Sequence, residues 1–220
     1  MALTVSSLGY TAQGFDTDTV ISSEAEASCI VSKTNYSFVG RYISLQSTEQ
    51  TGDLTHSELV NLAEAFLYVA LIQHALAGGT VLTPALGTTY GQHAVANAKS
   101  ISAPAGAYLW LDIEDYGSGS DPIGFCEAWS NAVKADGTYH PALYFGAPGL
   151  SSGNVETLVN GGYFAATWSG CGAPKGFGES IDQGPCVIQI NVTCSGTKYS
   201  LSADQDTIEA NSVGGFVIWS

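Results

Sequence analysis

Apolar positions along this chain follow two rhythms: short runs that alternate or are unbroken, and longer stretches with a period near 3.6 residues. The short runs predict eight strands, over 10–16, 37–43, 67–73, 106–112, 138–145, 163–168, 187–191 and 214–219. Between them the pattern predicts helices. One is a Ser/Glu/Ala-rich stretch over 22–33, and another opens at Leu54-Thr55-His56-Ser57-Glu58, where Thr55 as N-cap and Glu58 form a capping box. A small-residue helix covers 89–101. Asp121-Pro122 opens a further one, with Phe125, Trp129 and Val133 on one face and Gly137 as its stop, and a short helix covers 152–159. After Ala63 two readings stand: a strand over 67–73, or the same helix carried on to Leu76.

Strands alternating with helices imply parallel βαβ units, and eight of them imply a single (β/α)8 TIM barrel, with short or irregular helices accommodated. A chain of 220 residues suits one domain over 1–220. No Gly-rich phosphate loop follows the first strand, which disfavours a nucleotide-binding sheet. The stretch 169–185 is long for an idle loop and is expected to form a site or be stapled by a disulfide.

Charge narrows the partners. The net charge is −14, and six basic residues (Lys33, Arg41, Lys99, Lys134, Lys175, Lys198) are scattered without a patch. Phosphate backbones and anionic membranes are repelled, so no nucleic-acid or membrane partner is expected; a neutral glycan fits better. No run of 18 apolar residues exists to span a bilayer. The acidic surface favours a monomer.

Five cysteines lack CxxC spacing, which argues against zinc. One disulfide is expected within 171–194, as Cys171–Cys186 or Cys186–Cys194, with Cys126 a buried free thiol. Asn35-Tyr36-Ser37 and Asn191-Val192-Thr193 match the glycosylation sequon, which matters in a eukaryotic secretory pathway. Residues 1–10 lack the basic start of a secretory leader, so either a leader has been removed or export follows another route. A secreted, extracellular protein is expected.

The densest chemistry lies in Ala107-Tyr108-Leu109-Trp110-Leu111-Asp112-Ile113-Glu114-Asp115-Tyr116, an apolar strand running into three carboxylates. Strand side chains alternate, so Asp112 and Glu114 share a face with Cα atoms roughly 6.6 Å apart, a spacing suited to an acid working beside an anion. Barrel sites lie at C-terminal strand ends. Those ends carry Asp16, Arg41 with Tyr42, Gln73 with His74, Asp112 with Glu114, Tyr144, Trp168 and Gln189; Asp204-Gln205-Asp206 precedes the last strand. Aromatic faces stack on sugars and paired carboxylates cleave glycosidic bonds. Tyr42, Arg41, Tyr144, Trp168 and Gln189 form the candidate substrate-binding set, although Arg41 reads better as the partner of a site acid, and Tyr144 and Trp168 serve equally as barrel core. Trp110 reads as core, and His74 and His93 as packing or surface residues.

Gly14-Phe15-Asp16-Thr17, Leu111-Asp112-Ile113-Glu114 and Asp204-Gln205-Asp206 occur in an order that resembles the DUF1906, or Rv2525c-like, glycoside-hydrolase-like domain. The chain is similar more distantly to family 25 lysozymes. The likeness runs over most of the sequence and implies a peptidoglycan hydrolase cleaving after N-acetylmuramic acid, without a cofactor or metal. Carried over, Glu114 is the general acid/base, Asp112 orients the substrate N-acetyl group, and Asp16 and Asp206 line the site. The lysozymes carry an aromatic near Gln189, where this chain has Ile188-Gln189-Ile190. A chitinase-like enzyme is the alternative, but the extra acid which that family carries before Asp112 is absent, with Tyr108 and Trp110 in its place. A silent glycan-binding barrel is the other alternative; it would be marked by loss of the general acid, yet Glu114 is present.

Overall fold

The computed structural model describes residues 2–177 and 180–220. A strand β1 (Leu3–Gly9) precedes the barrel. Seven strands then run parallel, each hydrogen-bonded to the next: β2 (Gln13–Thr17), β3 (Tyr36–Ile43), β4 (Tyr68–Gln73), β5 (Tyr108–Ile113), β6 (His140–Phe145), β7 (Thr167–Ser169) and β8 (Ser180–Gln183). After β9 (Ile188–Cys194), β10 (Thr197–Ile208) runs antiparallel to both β8 and β2 and closes an eight-stranded ring. The chain ends with β11 (Ser212–Trp219), which pairs with β1 and touches β4 at Val217–Val69. The expected TIM-like barrel is therefore present, with one antiparallel stave.

Among the described residues five helices cover it: α1 (Glu24–Lys33), α2 (His56–Glu64), α3 (Pro84–Ser100), α4 (Pro122–Asp136) and α5 (Ser152–Asn160). The period-two alternation explains both cores. Leu109, Leu111, Ile113, Val39, Leu143 and Phe145 face outward under the helices. Phe38, Ile72, Trp110, Ala142, Tyr144, Trp168, Ile181 and Phe216 fill the interior. Among the described residues no helix is long and apolar enough to cross a membrane.

Several expected elements shift. The helix does not run on to Leu76, because Phe66 takes a left-handed φ of 60° just after α2 and frees the next residues for β4. α3 begins well before residue 89, where Thr83 accepts a hydrogen bond from the Leu86 N–H and Pro84 occupies the first turn. The predicted seventh strand, 187–191, lies in β9, which pairs with β10 outside the ring and packs on α1. Its alternation of buried Ile190 and Val192 with exposed Gln189 and Asn191 is that of a half-covered hairpin. The true seventh stave, β8, sits inside the stretch read as a loop, and the predicted eighth belongs to β11, which pairs antiparallel with β1.

Two disulfides form. Cys171–Cys186 is one of the expected pairs, and it excludes Cys186–Cys194. Cys29–Cys194 joins α1 to β9 across 165 residues, a pairing that sequence spacing does not suggest. Cys126 is free and buried, as expected.

Candidate active site

Inward-facing residues at the upper strand ends meet in a cleft of about 330 Å³. Asp16 comes from β2, Tyr42 from β3, Asp112 from β5 and Asp204 from β10; Thr17, Asp18, His74, Ala75, Glu114, Ser202 and Ala203 complete the lining. The antiparallel register sets Asp204 opposite Asp16 and Asp206 opposite Gly14. The upper position therefore faces the cleft and the lower one lies in the floor. Asp206 is fully buried and accepts the Trp168 indole N–H at 2.8 Å, while Oδ2 of Asp206 and Oδ2 of Asp16 are both buried without a hydrogen-bond partner. Asp16 accepts the Tyr42 hydroxyl at 3.0 Å. The Tyr42 ring stacks on His74 with centroids 4.6 Å apart, and His74 Nε2 lies 3.0 Å from Asp53 Oδ1.

Glycines make this convergence possible. A Cβ on Gly40 would fall 2.9 Å from both Asp16 Cβ and Trp168 Cη2, so the small residue lets β2 and β7 side chains meet inside the barrel. At the end of β6, a Cβ on Gly146 would sit 2.5 Å from Glu114 Oε1.

Crowding acids away from water holds their protons. Asp16 is pushed up to about 7, mainly by burial and next by Asp204, with the Tyr42 hydrogen bond opposing. Asp112 is raised well above the usual carboxylate range by burial, then by Glu114 and Asp16. Burial and then Asp204 raise Glu114, and burial followed by Asp16 raises Asp206 strongly. Asp112 Oδ1 is buried without a hydrogen-bond partner.

These shifts carry a sign for stability. Each raised carboxyl binds its proton more tightly folded than unfolded, so its contribution is complete in acid and is lost as pH climbs through the raised values, about 7 for Asp16. Thermal melts are expected to give a higher Tm near about pH 4 than near about pH 8, with about 1 kcal/mol of linkage worth about 2–4 °C. Asp16→Asn should flatten that slope; an unchanged slope would place its origin in the acidic surface.

Several candidate substrate contacts lie elsewhere. Arg41 is fully buried on the outer face of β3; its Nε binds Glu58 Oε1 at 2.8 Å and its Nη1 binds the Thr17 carbonyl at 2.7 Å. Its partner is thus a helix residue of α2 and no site acid. Trp168 is fully buried and Tyr144 nearly so, with the Tyr144 hydroxyl 3.4 Å from Gln183 Oε1, so both are interior packing and offer no face to a sugar. Gln189 lies exposed on β9, in a groove with Lys33 and Tyr36 away from the cleft. Gln73 is consumed by Trp129 Nε1 and the Tyr90 carbonyl. His93 binds the Leu45 carbonyl at 3.0 Å, as a packing residue should, and Trp110 is core. His74, in contrast, both packs on Tyr42 and lines the cleft.

The model of the Rv2525c-like, glycoside hydrolase-like domain matches residues 28–185, more than two thirds of the chain. The chain belongs to this family. No curated protein matches the sequence. Among solved structures, the Tat-secreted protein Rv2525c of Mycobacterium tuberculosis superposes with a TM-score of 0.63 at 17% identity, covering 91% of this chain and 96% of that one. The catalytic domain of endolysin ply40, from a bacteriophage of Listeria monocytogenes, gives 0.56 at 14% identity over 90% and 93%. The modular autolysin LytC of Streptococcus pneumoniae, in complex with a synthetic peptidoglycan ligand, gives 0.56 at 8% identity over 89% of this chain and 46% of that one. These likenesses show a shared barrel. The Rv2525c-like match begins after Asp16 and ends before Asp204, so the two strands closing the acidic side of the cleft lie beyond it.

Of the acids in Asp204-Gln205-Asp206 it is Asp204 that lines the cleft; His74, expected as a packing or surface residue, lines it too, and Asp18 is a lining residue that no sequence motif marks. The signal for Asp204 was the i, i+2 spacing of Asp204 and Asp206, which places both on one strand face. Which of the two faces the opening depends on strand direction.

Proposed function

We propose that the chain is a secreted, retaining glycosidase of bacterial cell-wall peptidoglycan, with Glu114 as general acid/base and Asp112 holding the substrate 2-acetamido group. The observation that carries this reading is the pairing of a half-buried acid, whose pKa burial and Asp204 raise, with a buried neighbour two positions earlier that has an oxygen unused. The endolysin and autolysin barrels and the two disulfides, which suit an oxidising exterior, support it.

In this mechanism Asp112 Oδ1 accepts the acetamido N–H and turns the carbonyl oxygen toward the anomeric carbon. That oxygen attacks as the bond to the leaving sugar breaks, and Glu114 passes its proton to the leaving oxygen. Glu114, now a carboxylate, takes a proton from water as the water opens the cyclic intermediate, and configuration is retained. Asp16, steadied by Tyr42, and the floor residue Asp206 set the field around the reacting ring. Because Glu114 must carry its proton, activity is expected on the acid side of neutrality and to fall as pH rises through its raised value.

Mass analysis of muropeptides released from purified walls tests the reading. Fragments ending in reducing N-acetylmuramic acid are expected. Release of N-acetylglucosamine oligomers from chitin alone would favour a chitinase-like enzyme, and binding without release a silent barrel. A further expectation concerns Gly146: in Gly146→Ala the new methyl displaces Glu114, lowering kcat/KM by about tenfold to a hundredfold. Unchanged kcat/KM with unchanged Tm would count against Glu114 as the working acid.

A further inference from the structure

On the reading that Glu114 is the working acid, we propose that the Cys171–Cys186 disulfide and the left-handed turn at Val187 form a positioning device: they hold Asp204 at the cleft rim with Glu114, and opening the disulfide releases it. Asp204 stands half-buried on β10 opposite Asp16, and the Val187 N–H donates to its Oδ1. Val187 takes a φ of 55°, which is unfavourable for a β-branched residue. Its side chain is 73% exposed, so packing does not impose that backbone. The chain on either side does. The Gly184 N–H binds the Gln205 carbonyl at 2.6 Å, the Gln205 N–H binds the Pro185 carbonyl at 3.2 Å, and Ile188 pairs with Ala203. Cys186 and Val187 therefore bulge between two fixed points, opposite Asp204, and the disulfide ties the bulge to Cys171.

The other end of the bridge rests on the Glu114 side. The Cys171 carbonyl accepts the Ala147 N–H at 3.3 Å, and the preceding Gly146 lies against Glu114. One covalent link thus runs from the wall behind Glu114 to the bulge that grips Asp204. The groups lining the cleft around Glu114 are Asp112 on β5, Asp16 and Asp18 at the end of β2, Tyr42 on β3, His74 beyond β4, and Asp204 on β10. After burial, it is Asp204 that raises the Glu114 carboxyl. Once the bulge relaxes, the Asp204 carboxylate turns to water and Glu114 ionises more readily, so less of it carries the proton that a leaving oxygen needs. The bridge is open to reagents. Cys171 and Cys186 are both exposed, whereas Cys29 of the second disulfide is 2% exposed. A dithiol therefore reaches Cys171–Cys186 first: its thiolate attacks the bridge, two protein thiols form, and the reagent leaves as its own cyclic disulfide.

The test opens the bridge in two ways: with dithiothreitol, at a level where alkylation mapping finds Cys171 and Cys186 reduced and Cys29–Cys194 intact, and with the double variant Cys171→Ser, Cys186→Ser. NMR of protein carrying isotope-labelled glutamate follows the Glu114 carboxyl, its signal assigned by loss in Glu114→Gln. In either open form Glu114 should ionise about 0.5–1 pH unit lower. The high-pH decline of kcat/KM on cell walls should move down by the same amount, so that kcat/KM at about pH 7 falls about threefold to tenfold. Asp204→Asn should give this shift by itself, and opening the bridge in that variant should add nothing, since both changes remove one interaction. A general loosening of the fold would add to it. The NMR arm needs no turnover: a lowered Glu114 titration without cleavage of walls supports the positioning device, and the glycosidase reading alone fails. A Glu114 titration unchanged by opening the bridge, or one shifted further on top of Asp204→Asn, overturns the proposal.

Discussion

Glu114→Gln should lower kcat on peptidoglycan by about 10²–10⁴-fold while leaving affinity for an uncleaved oligosaccharide close to that of the unaltered protein. The amide fills the same space against Gly146 and still lines the cleft, but it has no proton to give to a leaving oxygen. Burial and Asp204 already disfavour a charge at this position, so removing the titratable group relieves repulsion, and Tm should hold or rise. Falling turnover with intact fold and binding separates a chemical role from a structural one. The high-pH decline that reports loss of the Glu114 proton should vanish from the residual activity. Identical muropeptide profiles from both proteins would remove Glu114 from the chemistry and return the barrel to a binding role.

Arg41→Ala is expected to cost about 3–5 kcal/mol of stability, or about 6–20 °C in Tm. Arg41 is wholly buried between β3 and α2, where Nε and Nη2 engage the two Glu58 oxygens at 2.8 and 3.2 Å. Nη2 also reaches the Gly52 carbonyl at 3.0 Å, and Glu58 Oε1 accepts the Ile21 N–H at 2.8 Å. Truncation strands a buried carboxylate and two carbonyls together. Arg41→Lys keeps the charge but loses the planar fork, so it should recover only part of the loss. Because Nη1 holds the Thr17 carbonyl directly below the cleft rim, affinity for oligosaccharide should weaken as well. Urea melts with a lowered midpoint and an unchanged slope would establish the loss. A change below about 1 kcal/mol would mean that water replaces the guanidinium and that the pair contributes little.

The Arg41–Glu58 pair shows how local and distant information divide. The spacing of Thr55 and Glu58 indicated a capping box, and half of it exists: the Thr55 hydroxyl accepts the Glu58 N–H at 3.2 Å. The reciprocal half is missing because Arg41 and the Ile21 N–H claim the Glu58 carboxylate. A basic residue at a strand end looks like a site residue in one dimension. Pleating turns Arg41 to the outer face while its neighbour Tyr42 turns inward to Asp16.

Everything carried by short-range physics is legible in the chain. Runs of period two named β3 to β6, cap and proline signals named α2 and α4, and the spacing of Asp112 and Glu114 placed two acids on one inward face. Strand alternation also implied the barrel. Long-range packing alone fixes which residues fill the last two staves, that β10 runs against its neighbours and so lifts Asp204 to the rim while sinking Asp206, and that Cys29 reaches Cys194. It alone sent Trp168 and Tyr144 into the packed interior and Gln189 onto an outer hairpin. The physical reason is that periodicity records which face of an element is buried, whereas strand direction and partner are set by contacts between residues far apart in the chain, about which a local pattern carries no signal.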